Sequence, residues 1–338
     1  MVEILPFESL AQYTTFRTGG QARFLINVTN IASIKAAINF ACDKKLPYFV
    51  IGGGSNLLVS DQGYDGLVIK LKIQGVEFPE PTLLIAGASE HWDDVVAVAV
   101  SKNLAGIENL SYIPGSVGAT PVQNIGAYGT EIKEVIEWVE VFDPEIMDIR
   151  KLSNAECRFG YRDSFFKSER GKKLIVLRVA MRLVAGGKPN LTYKDLGNYF
   201  ATAPEPTLLE VRKAVIEIRK KKLPDISEVG TAGSFFKNPI ITEEKYNKLL
   251  NQYPELPFFP AGNGFKKIPL AWVLDKVCQL KGYRDGNVGL YETQPLAIVN
   301  FGGATSLEIK KLAQKIFDEV KNKTEIEIEW EVIPVGNF

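Results

Sequence analysis

The sequence is poor in the residues that most often carry metal and redox chemistry. Its 338 residues include one histidine, His91, so a histidine-rich metal site is excluded and a Ser-His-Asp triad would have to use that residue. The three cysteines, Cys42, Cys157 and Cys278, form no CxxC, which argues against zinc ribbons, dithiol redox motifs and a disulfide framework. We therefore predict no metal site.

Excess charge and long hydrophobic runs are also lacking. Lys+Arg, at 40, equals Asp+Glu, at 40, so no net field attracts nucleic acid or an anionic membrane. No stretch approaches the ~20 apolar residues of a membrane span. Residues 1–20 carry acids and polar groups where a signal peptide needs an apolar core. The sequence predicts a cytoplasmic protein, monomeric by default, with no nucleic-acid or membrane partner.

Hydrophobic residues make up 46% of the chain, enough for a sizeable core, and about 150 residues per domain predicts two or three domains. A helix is expected after Asn30 as cap, because apolar residues then recur at helical spacing at Ile31, Ile34, Ile38 and Ala41. The alternation of strands and helices over the first hundred residues indicates an α/β or α+β fold. Strands are predicted at 24–28, 48–52, 67–71, 83–87, 135–142, 174–184, 296–301 and 325–333. Helices are predicted at 90–103, 207–222, 242–251, 269–280 and 305–321.

Two glycine-rich segments have the composition of a phosphate site. The first, IGGGSN at 51–56, lets backbone N–H groups approach a phosphate, although it lacks the GxGxxG and GxxxxGK[ST] fingerprints and alone also fits a turn. The second, PGSVGATPVQNIGAYG at 114–129, has no amphipathic period, and such a run usually wraps a ligand. Together they indicate an extended cofactor held by two loops, with ordinary structured loops as the alternative.

Seven strings span nearly the whole chain: TTFRTGG (14–20), IGGGSNLLVSDQGYDGLVI (51–69), GIENLSYIPGSVGATPVQNIGAYG (106–129), CRFGYRDSFFK (157–167), KLPD (222–225), GTAGSFFKNP (230–239) and EIEWEVIPVG (327–336). In this order they resemble the UDP-N-acetylenolpyruvoylglucosamine reductase (MurB) family. LTYKDLGNYF (191–200) is similar to the tyrosine-bearing substrate loop of the family's longer, type I form.

The resemblance implies an α+β fold. Its FAD-binding part is of the vanillyl-alcohol-oxidase (PCMH) type, with two lobes, and a C-terminal α/β substrate-binding domain follows. We expect the first lobe at 1–70, joined by a C-terminal strand at 325–338, the second lobe at 71–222 and the substrate-binding domain at 223–324. The pair Leu223-Pro224 agrees with a boundary there, because the residue before a proline disfavours the helical region.

The resemblance also implies non-covalent FAD, NADPH as reductant, and small-molecule partners. The family reduces UDP-N-acetylglucosamine enolpyruvate to UDP-N-acetylmuramate for peptidoglycan synthesis, with hydride passing from NADPH to the flavin and from flavin N5 to the substrate. The cofactor contacts carried over from the first loop are Gly52, Gly53, Gly54, Ser55, Asn56 and Leu57. Those carried over from the second are Pro114, Gly115, Ser116, Gly118, Ala119, Asn124, Ile125 and Gly126.

Three residues match the family's catalytic positions. Hydride addition leaves negative charge beside the substrate carboxylate, and this charge needs stabilisation and then a proton. The resemblance assigns stabilisation to Arg162 and Glu331, and the proton to Ser234. A guanidinium fork suits a carboxylate, although Arg162 alone also fits a salt bridge with Asp163, and Ser234 alone also fits a turn.

The closing segment offers two candidate glutamates. Four glutamates of the segment 325–331 share one period-2 phase, which normally marks a solvated strand edge. The family's Leu-Glu-Pro-Glu-Val is Ile-Glu-Trp-Glu-Val here, at 328–332, and the family's catalytic glutamate precedes the valine. We therefore predict Glu331, with Glu329 as the fallback.

Four residues match substrate positions. Tyr193 matches the loop tyrosine over the uridine diphosphate, Lys222 and Asn238 match residues near the diphosphate, and Gln294 in YETQPL is a weaker match. The charge of a lysine suits a diphosphate, but a lysine at a helix C-terminus also interacts favourably with the helix dipole, which is the alternative role for Lys222. His91 has no assigned role.

Two other interpretations stay open. A flavin oxidase of the same superfamily would share the glycine-rich loops, but such enzymes often tether FAD through histidine or cysteine, and neither loop contains a histidine. A non-catalytic nucleotide-binding module would keep GGGSN but would have no reason for GYRDS or GSFFKNP.

Overall fold

A computed structural model describes residues 3–202 and 205–338 of the chain. They form two compact units. Unit 1 comprises the described residues of Met1–Glu8, Ala22–Gly54 and Asp65–Arg219, and unit 2 comprises Ser9–Gln21, Ser55–Tyr64 and Lys220–Phe338. Over the described residues, no helix combines the length and the apolar composition needed to cross a membrane. The division into two FAD-binding lobes and a third domain stays a prediction.

The helices are α1 (Ile31–Asp43), α2 (Trp92–Ser101), α3 (Lys194–Tyr199), α4 (Leu208–Lys222), α5 (Glu243–Gln252), α6 (Leu270–Trp272) and α7 (Ser306–Thr324). A π-helical turn, Val273–Val277, continues α6, so the helix predicted at 269–280 is shorter than expected and wider in its second half. The other predicted helices form within a few residues of their expected ends.

The strands are β1 (Ile4–Ser9), β2 (Gln21–Val28), β3 (Tyr48–Ile51), β4 (Leu57–Val59), β5 (Tyr64–Leu71), β6 (Val76–Glu80), β7 (Leu83–Gly87), β8 (Leu104–Ala105), β9 (Gly126–Ala127), β10 (Thr130–Glu131), β11 (Ile136–Asp143), β12 (Asp148–Ser153), β13 (Ile175–Arg182), β14 (Val184–Ala185), β15 (Gly230–Ser234), β16 (Ile240–Thr242), β17 (Phe259–Pro260), β18 (Phe265–Lys267), β19 (Arg284–Asp285), β20 (Val288–Leu290), β21 (Ala297–Asn300) and β22 (Ile333–Val335).

Unit 1 is built on two sheets. One has the order β1-β2-β5-β3, with β3 and β5 parallel, and the other is the antiparallel sheet β12-β11-β13-β7-β6. Helices α1 and α2 contribute their buried faces to a single apolar core with both sheets. The Asn30 side chain accepts the Ser33 N–H at 2.9 Å, and the Ser33 hydroxyl accepts the Asn30 N–H at 3.1 Å. This reciprocal cap confirms the predicted start of α1.

Unit 2 is assembled from segments that are distant in the chain. Its main sheet has the order β15-β21-β20-β19, and α7 packs on β20 and β21. Phe16 and Leu58, from the two early segments, are fully buried in the same core as the later residues. Strand β22 pairs in parallel with β4, so that Ile333 lies opposite Leu57.

The strand predicted at 325–333 is wrong over most of its length. The alternation is real, because Ile326, Ile328 and Val332 are buried while Glu327 is exposed. However, ladder pairing begins only at Ile333. Alternation reports which side chains are buried, whereas a strand also needs a partner that pairs continuously. Here the neighbouring segment offers only the isolated bridge between Phe236 and Trp330.

Candidate active site

The first glycine-rich loop begins where β3 ends. Ile51, the last residue of β3, lies opposite Lys70 of β5, and the Lys70 ammonium donates to the Gly52 carbonyl. Burial lowers the pKa of Lys70 to about 8. Gly54 has φ +66°, a left-handed conformation that glycine adopts without strain. A cation therefore holds the carbonyl at the entrance of the loop.

The second glycine-rich segment is fixed by its backbone to the residues before α2. The Gly115 carbonyl accepts the Trp92 N–H at 3.0 Å, and the Val117 N–H donates to the Glu90 carbonyl at 2.9 Å. The Gly118 N–H donates to the Ala88 carbonyl at 2.9 Å. A Cβ on Gly118 would lie 2.7 Å from the Cβ of Ala88, so this contact requires glycine.

Within unit 1 the two glycine-rich segments meet. The Gly53 N–H donates to the Ser116 hydroxyl at 3.2 Å. A Cβ on Gly53 would lie 2.8 Å from the Cα of Gly115, and one on Gly52 would lie 2.5 Å from the Ser116 hydroxyl oxygen. The glycines thus let the two main chains approach closely, with the Ser116 side chain between them. Backbone N–H groups of glycine-rich loops recognise a diphosphate, so the two segments fit the FAD that the sequence implies through N–H groups other than that of Gly53, which donates to Ser116.

Asn124 braces the second segment. It is fully buried with φ +46°, and its amide donates to the Glu131 carboxylate and to the Gly160 carbonyl, both at 2.9 Å. Its side-chain oxygen accepts the Lys133 N–H at 3.1 Å. Because both donors and the acceptor are engaged within the protein, the side chain of Asn124 shapes the segment, and its backbone is what it can offer to a cofactor.

Arg162 lies in a tight turn beside that segment. The Gly160 N–H donates to the Asp163 carbonyl at 2.9 Å, and Arg162 takes φ +51°, which is uncommon for a residue with a side chain. The Arg162 guanidinium is half-buried and donates to the Gly126 carbonyl at 2.9 Å. The fold thus brings Arg162 together with two predicted cofactor residues, Asn124 and Gly126.

Tyr193 contacts the same glycine-rich segment farther along. It occupies the position before the first residue of α3, and its ring packs edge-on against Tyr128 with centroids 5.4 Å apart. Burial raises the pKa of Tyr128 to about 12, although the nearby Arg219 guanidinium opposes that shift. The Asn190 amide donates to the Gly129 carbonyl at 3.1 Å. The predicted substrate tyrosine therefore contacts the same glycine-rich segment whose Gly126 carbonyl accepts a hydrogen bond from Arg162.

Ser234 ends β15 at an irregularity of unit 2. The pairing of β15 with β21 shifts between Thr231 and Ser234, which places Ser234 opposite Ala297. The shift coincides with Gly233, whose φ of +73° is left-handed. The irregularity leaves Ser234 half-buried at the end of the strand. Bulges of this kind re-aim side chains and are common beside active sites.

Glu331 is held next to Ser234 by main-chain hydrogen bonds. The Glu331 N–H donates to the carbonyl of Phe235, the residue after Ser234, at 2.8 Å. The Glu331 carbonyl accepts the Asn56 side-chain amide at 3.0 Å, and the Ile333 N–H donates to the Asn56 carbonyl at 3.0 Å. Unit 2 therefore brings together two of the three predicted catalytic residues, and Asn56 clamps their segment.

The fallback residue, Glu329, lies in a different environment. Its side chain is 74% exposed and forms an ion pair with Lys237 at 2.8 Å, whereas Glu331 is half-buried. Trp330 packs against the ring of Phe235 with centroids 4.8 Å apart. Glu331 thus lies in the less exposed environment of the two, and the choice of Glu331 stays a prediction.

The predicted substrate residues of unit 2 lie around the same strands. The Thr293 hydroxyl donates to the carbonyl of Lys222, the exposed last residue of α4, at 2.8 Å. The Gln294 carbonyl accepts the Ala297 N–H at 2.9 Å, which places this turn beside Ser234. The Asn238 side-chain oxygen accepts the Leu270 N–H at 2.9 Å, so Asn238 also fixes the start of α6.

Sequence reasoning missed Lys70, Tyr128 and Arg219. Lys70 carried a usable signal, since it interrupts the otherwise apolar strand LVIKL at 67–71. Tyr128 and Arg219 carried none, because neither an aromatic residue in a loop nor an arginine on a helix is unusual.

Comparisons with known proteins agree with this architecture. Residues 22–145 match a family model described as an FAD binding domain, and residues 225–335 match the C-terminal domain of UDP-N-acetylenolpyruvoylglucosamine reductase. Reductases of that name are similar to the chain: 40% identical in Chromobacterium violaceum, covering 95% of each chain, and 41% identical in Amoebophilus asiaticus, covering 98% of each. The crystal structure of the reductase (MurB) from Thermus caldophilus is similar with a TM-score of 0.71 and 26% identity, over 99% of each chain.

Proposed function

This chain belongs to the UDP-N-acetylenolpyruvoylglucosamine reductase family, and we propose that Arg162, Ser234 and Glu331 carry out its chemistry. It is an NADPH-dependent flavoenzyme that reduces UDP-N-acetylglucosamine enolpyruvate in peptidoglycan synthesis. Its cofactor is FAD, and its fold joins a PCMH-type FAD-binding part to the family's C-terminal domain.

The observation that supports the residue assignment is the main-chain hydrogen bond from Glu331 to Phe235, the residue after Ser234. The two residues are far apart in the sequence, yet the Glu331 N–H and the Phe235 carbonyl are 2.8 Å apart. Ser234 holds the hydroxyl proton for the substrate carbon that becomes carbanionic. A serine is a weak acid, so its proton moves only to a strong base. Glu331 supports this step from a half-buried position, while the exposed Glu329 is paired with Lys237.

Arg162 stabilises the charge that grows on the substrate carboxylate. Its planar fork can donate two parallel hydrogen bonds to a carboxylate, which an ammonium cannot do. The contact with the Gly126 carbonyl holds the guanidinium at a defined place on unit 1. A preset donor stabilises developing charge without the reorganisation that solvent would need.

The two glycine-rich segments would hold FAD, which supplies the hydride when bound. We assign the diphosphate to the main chain around Gly52, Gly53, Gly115 and Ser116, where glycines let the two segments approach closely and the Ser116 hydroxyl lies between them. The remaining proposed contacts are Gly54, Ser55, Asn56, Leu57, Pro114, Gly118, Ala119, Asn124, Ile125 and Gly126.

For the sugar nucleotide we propose Tyr193, Lys222, Asn238 and Gln294. In unit 2 the Lys222 carbonyl accepts the hydroxyl of Thr293, the residue before Gln294, and in unit 1 Tyr193 packs on Tyr128. We also propose that the chain is of the family's type I, tyrosine-loop form and works as a cytoplasmic monomer. The LTYKDLGNYF string and the balanced charge support this.

The test of the function is a coupled assay on the purified holoenzyme. NADPH oxidation should require UDP-N-acetylglucosamine enolpyruvate and should yield an equal amount of UDP-N-acetylmuramate, identified by mass. NADPH oxidation without that substrate, matched by oxygen consumption, would instead indicate an oxidase. Bound FAD without any turnover would indicate a nucleotide-binding module.

A further inference from the structure

One peptide unit of the first glycine-rich loop is held at both of its polar ends. The carbonyl of Gly52 accepts from the Lys70 ammonium, and the N–H of Gly53, in the same peptide plane, donates to the Ser116 hydroxyl at 3.2 Å. Rotating this peptide would break both hydrogen bonds. Glycine flanks it on both sides, so the backbone itself would offer little resistance to rotation.

Lys70 occupies a place that a lysine rarely takes. It is half-buried, Val68 on the same face of β5 is fully buried, and Ile51 lies opposite it across the parallel pairing. Burial lowers the pKa of Lys70 to about 8, and Lys72 is the charged group that adds to this effect. Burying an ammonium is unfavourable, so an apolar side chain here would serve the strand better. The position therefore favours a task for the amine beyond packing.

We propose that Lys70 is a positioning residue for the FAD diphosphate, acting through the Gly52–Gly53 peptide. The ammonium and the Ser116 hydroxyl together preset that peptide, so the loop presents its main-chain donors in one arrangement before the cofactor arrives. A preset loop loses less conformational freedom on binding, and affinity rises accordingly. This inference rests on the proposed assignment of the glycine-rich segments to FAD.

The first test compares FAD affinity in Lys70→Met and in a matched control, Lys72→Met. Lys72 is exposed and lies on the chain just beyond β5, so its replacement removes the same charge without touching the Gly52–Gly53 peptide. FAD is titrated into FAD-free protein and followed by flavin fluorescence. Lys70→Met should raise the FAD dissociation constant about 10- to 100-fold, the effect of losing a charge-assisted hydrogen bond, while Lys72→Met stays within about 3-fold of wild type.

A second measurement separates positioning of the diphosphate from general loosening of unit 1. Riboflavin, which has no diphosphate, should bind wild type and Lys70→Met equally. With saturating FAD, the turnover number of Lys70→Met should remain near that of wild type. A loosened fold would weaken both ligands and lower turnover.

The shared peptide also predicts coupling between its two partners. In a double-mutant cycle, Ser116→Ala should weaken FAD binding in wild type, but much less in Lys70→Met, because the peptide is already released there. Fully additive effects on FAD affinity would mean that Lys70 and Ser116 do not act through one shared peptide, and would overturn the proposal. So would an FAD affinity of Lys70→Met equal to that of Lys72→Met.

If Lys70→Met does not fold, two further variants decide the matter. Lys70→Arg keeps a charged donor and should bind FAD within about 3-fold of wild type, whereas the shorter, neutral Lys70→Gln should lose about 10-fold. Equal affinities in these two variants would contradict the proposal. A wild-type protein that binds no FAD would instead contradict the proposed function itself, so the two failures are distinguishable.

Discussion

At the scale of single residues, the active-site assignment depends on a serine that has to act as an acid. Ser234 ends a strand at an irregular pairing, and the residue after it is hydrogen-bonded to Glu331. Neither contact involves the FAD segments of unit 1. A substitution at Ser234 should therefore affect the proton transfer without changing cofactor binding.

We expect Ser234→Ala to separate the two half-reactions. Flavin reduction by NADPH should proceed at close to its normal rate, because FAD and Arg162 are untouched. Reoxidation by the enolpyruvyl substrate should collapse, because no nearby acid is left. Stopped-flow absorbance of the flavin follows both steps. Ser234→Cys should recover part of the loss, since a thiol (pKa about 8.5) is a stronger acid than an alcohol.

The informative control is the ratio of the two rates. Equal slowing of both halves in Ser234→Ala would mean that the serine supports the fold or the cofactor, and the role of proton donor would be wrong.

We expect Arg162→Lys to retain FAD but to lose most of its turnover. An ammonium keeps the charge and loses the bidentate geometry, which should cost on the order of 3 kcal/mol, or ~10²-fold in rate. The rate of flavin reoxidation by substrate measures this, and FAD content checks the fold. A near-native rate of reoxidation would exclude Arg162 from the chemistry.

Residue-level features were predictable where their cause is local. The Asn30 cap follows from a polar residue placed before an apolar periodicity. The alternation alone could not choose between Glu329 and Glu331, because period-2 phase puts both on one face; the family pattern predicted Glu331, and their different tertiary contacts agree with that choice. Lys70 acts through a loop carbonyl across a parallel pairing, and strand pairings are not readable from one sequence.

At the scale of elements, the hydrophobic pattern predicted most helices and strands because it reports burial directly. The segment 325–332 shows its limit. Its isoleucines are buried as alternation requires, yet the chain there is extended without ladder pairing. Glu325 has a left-handed backbone conformation (φ +52°) and ends α7. After it, Ile326, Ile328 and Val332 bury their side chains in the core of unit 2. Burial was predictable, and pairing was not.

Tyr193 lies on the loop that we propose for substrate binding. Loss of its hydroxyl should affect substrate binding more than the chemical step. We expect Tyr193→Phe to raise the apparent Michaelis constant for the UDP-sugar while the turnover number stays near wild type. A contact made equally in ground and transition states behaves in this way. Steady-state kinetics at several substrate concentrations provide the measurement. An unchanged substrate affinity would show that the tyrosine lies elsewhere during the reaction.

At the scale of the whole molecule, burial of Cys157 should make stability sensitive to alkaline pH. Cys157 is fully buried, which raises its pKa from about 9 to about 12. Well below pH 9 the thiol is protonated in both states. Between pH 9 and 12 the unfolded chain loses the proton while the native chain keeps it, so the free energy of unfolding falls by up to about 1.4 kcal/mol per pH unit.

Urea unfolding of wild type and Cys157→Ala across pH 8–11 isolates this contribution. The variant is expected to be less stable at pH 8 and to decline less steeply above pH 9. Parallel pH profiles would show that the thiol titrates alike in both states. Thiol labelling of the native protein gives a companion result, in which the exposed Cys42 reacts and the buried Cys157 and Cys278 do not.

The parallel pairing of β4 with β22 also has a consequence for synthesis on the ribosome. Leu57 is translated well before its partner Ile333, which lies more than 270 residues farther along the chain. At about 5–20 residues per second, the edge Leu57–Val59 waits on the order of tens of seconds before its neighbour exists. Its three apolar side chains are buried in the finished unit but lack the cover of β22 during that interval. A nascent chain stalled before residue 333 therefore exposes a short unpaired strand edge with apolar side chains, which is the kind of surface that chaperones bind.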